Sequence, residues 1–169
     1  MAASAFRCGS RRIFIARSRT ARRSTCTSLM LAVIALTGCA GKTRPVAYAD
    51  LTSKVGPIEF TRIYVRLFRT RTSLLKLLRQ MNPGRTVRLP AIDFGRREVF
   101  LVATGPRSST GYALRIVRVQ DEGSRVVVVV HEETPSLGDP VEARVTYPYR
   151  LIALPRSDEP VKLKWPGRP

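Results

Sequence analysis

The stretch EVFLVATGPRSSTGYALRIVRVQDEGSRVVVVVHEE, residues 98–133, decides the fold. It contains three apolar runs, Glu98–Thr104, Tyr112–Val119 and Arg125–Glu132. Each is short and rich in valine, isoleucine or phenylalanine, which is the length and composition of a strand. Asp121-Glu122-Gly123 supplies turn chemistry between the second and third runs and predicts a hairpin. The valines 126–130 do not alternate with polar residues, so their strand is expected to be central and covered on both faces.

The pattern extends in both directions. Upstream, Ile63, Val65 and Leu67 fall on one face of an alternating run and Tyr64, Arg66 and Phe68 on the other, which predicts a strand. Leu74, Leu75, Leu77, Leu78 and Met81 follow helical spacing, with Thr72 or Ser73 as the expected cap and Asn82-Pro83-Gly84 as the stop. Downstream, strands are expected around Pro140–Val145, Leu151–Leu154 and Pro160–Trp165, the last with Val161, Leu163 and Trp165 inward. The expected fold class is mainly β (α+β), an antiparallel sandwich or open barrel with one packed helix. Residues 58–169 read as a single β-rich domain. Residues 39–57, with Gly41, Pro45, Gly56 and Pro57 and little periodicity, read as a tether.

Residues 1–38 read as an export signal. Seven arginines and no acidic residue precede Leu29, then an apolar run, Leu29–Leu36, then small residues ending at Cys39. The run is too short to span a bilayer, which takes about 20 residues. Leu36-Thr37-Gly38-Cys39 resembles the lipobox of bacterial lipoproteins, which implies acylation of Cys39 and a membrane-anchored protein of the cell envelope. Ala40 after the cysteine favours the outer membrane over the inner, with the chain facing the periplasm. Gly41-Lys42-Thr43 is not a phosphate-binding loop, because the position five residues before Gly41 is Leu36 rather than glycine.

The net charge of +18 shrinks when this segment is removed, to 23 basic against 12 acidic residues over 131. The excess is uneven: +9 over residues 40–90 and +2 over 91–169. For an exported chain that favours an anionic membrane or an acidic protein face over nucleic acid. Only Cys39 survives maturation, so no intramolecular disulfide is expected and stability must come from the core.

Residues suited to catalysis are sparse. His131 is the only histidine, and beside Glu132 and Glu133 on a strand it does not make a metal site. No cofactor or small-molecule motif is present, and the chain reads as non-enzymatic. Two loops stand out instead. In Gly105–Tyr112, Pro106 fixes a dihedral, Gly111 would permit a positive φ, and Ser109 and Thr110 leave the backbone approachable before Tyr112. Such a loop suits insertion into a partner's groove. The second loop, Tyr147-Pro148-Tyr149-Arg150, has interface composition.

The pieces also come in a recognisable order: Ile92-Asp93-Phe94, the strand Val99–Ala103, Ser109-Thr110-Gly111-Tyr112, a hairpin, Glu133-Thr134-Pro135 with Gly138, Tyr147-Pro148-Tyr149, Leu154-Pro155 and Pro160-Val161. This set resembles the C-terminal domain of the protease complex subunit PrcB family over about Ile92 to Leu163. Arg150 stands where that family often has a basic residue. The resemblance implies an envelope accessory protein that associates with or stabilises an exported or surface protease, with no catalytic residues of its own. Ser109-Thr110-Gly111-Tyr112 is also similar to the inhibitory loop of chagasin-type cysteine peptidase inhibitors, which implies a peptidase inhibitor as one alternative. A structural envelope lipoprotein is another.

Overall fold

The computed structural model describes residues 43–167. Cys39 and the segment read as an export signal lie outside the described residues. Ten elements follow in order: β1 (Arg44–Pro45), β2 (Ala49–Asp50), α1 (Thr52–Val55), β3 (Tyr64–Phe68), α2 (Arg71–Gln80), β4 (Arg97–Ala103), β5 (Ala113–Asp121), β6 (Val126–Glu133), β7 (Tyr149–Pro155) and β8 (Val161–Lys164). They form two four-stranded sheets, ordered β1-β5-β6-β8 and β2-β7-β4-β3. All pairings are antiparallel except β6 with β8, which is parallel.

Alternation along β4 and β7 builds two cores on the two faces of one sheet. Phe100, Val102, Ile152 and Leu154 face the other sheet, where Leu114, Val119, Val126, Val128 and Val130 meet them. Val99, Leu101, Ala103, Leu151 and Ala153 face the opposite way, onto Leu74, Leu77 and Leu78 of α2 and onto Leu51, Ile58 and Phe60. The β2-β7-β4-β3 sheet is therefore the middle layer of a sheet–sheet–helix stack. Burying each of the three helix leucines contributes about 1.5–3 kcal/mol, which is what holds a ten-residue helix that would not persist alone.

The mainly β sandwich with a packed helix stands as the sequence indicates, and the Asp121–Gly123 turn closes the β5–β6 hairpin. There Glu122 N donates to Arg125 O at 2.9 Å and Gly123 takes a positive φ of 83°. β6 is central, and all five of its valines are buried. Val127 and Val129, on its outer face, are flanked in register by Gln120 and Lys162 and by Arg118 and Lys164, long side chains with apolar stems.

Three expectations need correction. The described part of the supposed tether is folded: β1 pairs with β5, β2 pairs with β7, and Leu51 N donates to Leu151 O at 2.8 Å. No strand forms at 140–145: among the described residues only Glu142 finds a hydrogen-bond partner outside the segment, in Thr110, with no ladder on either side of it, and these residues are an exposed loop. The α2 cap is Thr70 rather than Thr72 or Ser73; its hydroxyl accepts from Ser73 N at 3.3 Å. Among the described residues, no helix is long and apolar enough to cross a membrane.

Candidate functional site: a cleft between two loops

Residues 105–112 leave β4 and enter β5, and residues 144–149 lead into β7. Because β4 and β7 are paired neighbours, the two segments run on side by side beyond the sheet. Thr104 N donates to Pro148 O at 3.0 Å, Arg107 N donates to Thr146 O at 2.8 Å, and Thr146 N returns the bond to Arg107 O at 2.9 Å. The Thr146 hydroxyl donates to Ser109 O at 2.8 Å. Two loops that look separate in the sequence are thus one structure.

A third segment backs them. Thr110 N donates to Glu142 O at 3.1 Å, and Glu142 N donates to the Thr110 hydroxyl at 3.0 Å. Gly111 lies against this segment so closely that a Cβ would stand 2.6 Å from both Pro135 Cβ and Val141 Cγ1. Its φ is not positive. Glycine is required there for close approach, not for the backbone freedom the sequence suggests. The Ser109–Tyr112 loop is accordingly pinned along one side and forms a wall, rather than standing clear as a wedge for a partner's groove. At the start of this loop Gly105 does adopt a positive φ of 80°, with the backbone of Arg62 behind it.

These walls and α1 enclose a cleft of about 520 Å³, lined among others by Thr52, Ser53, Pro57, Thr110, Tyr112, Arg144, Tyr147 and Arg150. Tyr112 and Tyr147 are half-buried, and among the described residues neither hydroxyl makes a hydrogen bond. Arg107 Cζ sits 6.0 Å from the Tyr112 ring centroid and fixes that ring's back. Arg107 is itself clamped by Glu132, whose side chain is only 5% exposed: Nε donates to Oε1, and Nη2 donates to Oε2 at 2.9 Å. That bidentate pair raises the guanidinium's pKa above its ordinary value, against the opposing effect of burial.

Tyr149 and Arg150 have structural duties. Tyr149 is buried, its ring edge-on to Phe60 at 5.3 Å, and its hydroxyl donates to Gly56 O at the end of α1. Burial, and secondarily the charge of Asp50, pushes its pKa up to about 12. It is a core tyrosine rather than a partner-facing one. Arg150 Nε donates to Leu114 O, and its Nη1 pairs with Asp50 at 3.1 Å, so it ties β7 to β5 and β2.

Of the seven loop residues expected to meet a partner, then, Tyr112, Tyr147 and Thr110 face the cleft. Gly111, Ser109 and Tyr149 shape it, and Arg150 does both. Sequence reasoning missed α1 as a wall and Arg144 as a lining cation. Arg144 carries no local signal beyond its position just before the tyrosine–proline motif. Among the described residues, no group of three or more His, Cys, Asp or Glu is placed to hold a metal ion.

Residues 99–155, from β4 to the end of β7, match the sequence model of the family described as PrcB C-terminal, about a third of the chain. Neither the curated proteins nor the solved structures gave a match.

Proposed function

We infer, from the premise that residues 99–155 are a PrcB C-terminal domain and so belong to a protease-complex subunit family, that the chain is a lipid-anchored envelope accessory protein. It binds an exported protease and does no chemistry of its own. The observation that supports this reading is the convergence of the 105–112 and 144–149 segments on one cleft. Its lining includes two half-buried tyrosines, two arginines and small hydroxyl residues, the aromatic and arginine mixture that carries binding energy at protein interfaces.

The anchor rests on the Leu36-Thr37-Gly38-Cys39 sequence. Acyl chains on Cys39 would hold the domain at the membrane, each buried methylene contributing about 0.8 kcal/mol. Sorting to the outer membrane, facing the periplasm, follows from Ala40.

Affinity capture of the full chain from its own envelope, beside a Tyr112→Ala/Tyr147→Ala double variant, tests the binding role. The native chain should recover a peptidase that the double variant loses, with unchanged circular dichroism. Equal recovery by both removes the cleft from the reading. Mass spectrometry of the purified protein tests the anchor, which falls if the chain is unacylated and begins upstream of Cys39.

A further inference from the structure

The segment 144–149 has one satisfied edge and one open edge. Thr146 and Pro148 turn their backbone groups toward Arg107 and Thr104. In an extended chain successive residues point their N–H and C=O groups to alternate sides. Val145 and Tyr147 therefore direct theirs the other way, and neither makes a backbone hydrogen bond among the described residues. Further along the same edge, β2 and α1 supply the partners: Leu51 N donates to Leu151 O, and Leu151 N donates to the Thr52 hydroxyl at 3.0 Å. The chain then turns away through α1 and leaves the edge beside 145–147 uncovered.

That edge lines a groove. The cleft described above shares Pro57, Arg144, Thr146 and Tyr147 with a second cavity of about 400 Å³, which adds Ile58, Glu59, Arg85 and Val145. The two form one trough along the segment. Its charge is mainly positive. Arg144 lies 3.8 Å from Glu142, and Arg85 lies 3.7 Å from Glu59, in both cases beyond hydrogen-bond distance and between exposed side chains. Both guanidiniums are free to take a stronger carboxylate partner.

We propose that this trough binds an extended, acidic segment of a partner protein, which adds as a strand to the free edge at Val145 and Tyr147 and places carboxylates on Arg144 and Arg85. Backbone bonds would supply much of the affinity, and the arginines the preference for acidic sequence. The chain's own N-terminal segment is a poor occupant, since it carries seven arginines and no acidic residue before Leu29. Of the other edges, β1 and β2 are two residues each, and β3 and β8 carry Arg66 and the lysines 162 and 164, charges that discourage strand addition. The proposal deepens the reading of the cleft as the client site and rests on it.

The probe is the fluorescein-labelled heptapeptide Val-Glu-Val-Thr-Val-Glu-Val, titrated against the full chain by anisotropy. Two further versions carry N-methyl groups on the odd or the even residues, and a fourth replaces glutamate with lysine. The acidic peptide should bind and the lysine version should not. One methylation register should weaken binding by about tenfold or more while the other leaves it nearly unchanged, because only alternate N–H groups face the protein edge. Arg144→Glu should cost about tenfold. Amide exchange at Val145 and Tyr147 should slow on binding. No binding by the acidic peptide, equal binding by both methylated versions, or unchanged exchange at both amides overturns strand addition. A dimer in which those two amides are already protected assigns the edge to a second copy and overturns the proposed occupant. Client capture that survives Arg144→Glu while peptide binding falls moves the client off the cleft but leaves strand addition standing.

Discussion

Gly111→Ala introduces a methyl group into space already filled. The new carbon would lie 2.6 Å from Pro135 Cβ, 2.6 Å from Val141 Cγ1 and 3.1 Å from Pro135 Cγ. Carbon atoms rest about 3.5–4.0 Å apart, so the two loops must separate by roughly 1 Å. Pro135 is a ring closed onto its own backbone, and Val141 is β-branched and stiff at χ1, so neither swings aside without cost. The backbone at Gly111 is not in the left-handed region, so the effect is steric alone. Overpacking of this kind costs about 1–3 kcal/mol, and loss of glycine freedom in the unfolded chain returns about 0.4–1 kcal/mol. The net is a destabilisation of about 1–2 kcal/mol, or roughly 3–8 °C in Tm for a domain of this size. The separation falls first on the paired bonds between Thr110 and Glu142. Hydrogen exchange at those two amides should quicken most, while the Val128 amide in the central strand should quicken only by the factor the lost global stability sets, about 5–30-fold. Val141→Ala removes one of the clashing atoms, and Val141 is 41% exposed, so alone it should cost under about 1 kcal/mol. Combined with Gly111→Ala it should restore part of the lost stability, the Pro135 contact accounting for the remainder. Chemical denaturation of the four proteins closes the cycle. A neutral Gly111→Ala, or strictly additive losses in the double variant, would refute the close-approach account.

Three other predictions follow from the same geometry. Tyr149→Phe keeps the ring on Phe60 but leaves Gly56 O without its hydroxyl donor, for a loss of about 1 kcal/mol in denaturant titration. Because the folded pKa of Tyr149 is raised to about 12 from 10.0, the native state holds this proton more tightly. Stability is complete below about pH 10 and falls by roughly 2–3 kcal/mol as pH rises to about 12, a slope that Tyr149→Phe should abolish in alkaline melts. Arg107→Ala strands the buried Glu132 carboxylate and should cost about 3 kcal/mol in denaturant titration, with part of the loss recovered when Glu132→Gln removes the charge as well; no recovery in the double variant would count against the ion pair as the cause. Thr70→Ala removes the α2 cap and should cost about 1 kcal/mol, with Thr70→Ser near neutral by the same thermal measurement.

The readable parts of the fold were those written in local periodicity. The runs at 63–69, 98–104 and 125–132, the leucine spacing of α2 and the Asp121–Gly123 turn each follow from side-chain alternation or turn chemistry within a few residues. The unreadable parts depend on partners far away in sequence. β1 and β2 are two residues each and exist because β5 and β7 offer edges. The 140–145 segment has strand composition but pairs with Thr110 through Glu142 alone, too little for a ladder. The same division runs through the site. The Tyr112 and Tyr147 loops were recognisable from composition, whereas their union into one cleft follows only from the β4–β7 pairing. Tyr149 and Tyr147 are two residues apart and would share a face of one strand, yet Tyr149 begins β7 and packs on Phe60 in the core, while Tyr147 lies beyond the strand and lines the trough.

Several residues of the span that matches the PrcB C-terminal model have duties inside the fold: Gly111 and Pro135 are spent on the approach of two loops, Tyr149 on holding α1 to β7, and Arg150 on joining two sheets. They build the walls of the cleft. The groups left to choose an occupant of the proposed trough are Arg85, Arg144, Val145 and the backbone edge beside Tyr147, and of these only Arg85 lies outside the matched residues 99–155. A trough whose walls are held by the fold and whose charges are exposed side chains can keep one architecture while its electrostatics select different extended segments. In the proposed trough the selection falls to two loosely paired arginines, so exchanging Arg85 and Arg144 for glutamate should reverse its charge preference without disturbing the sandwich beneath it.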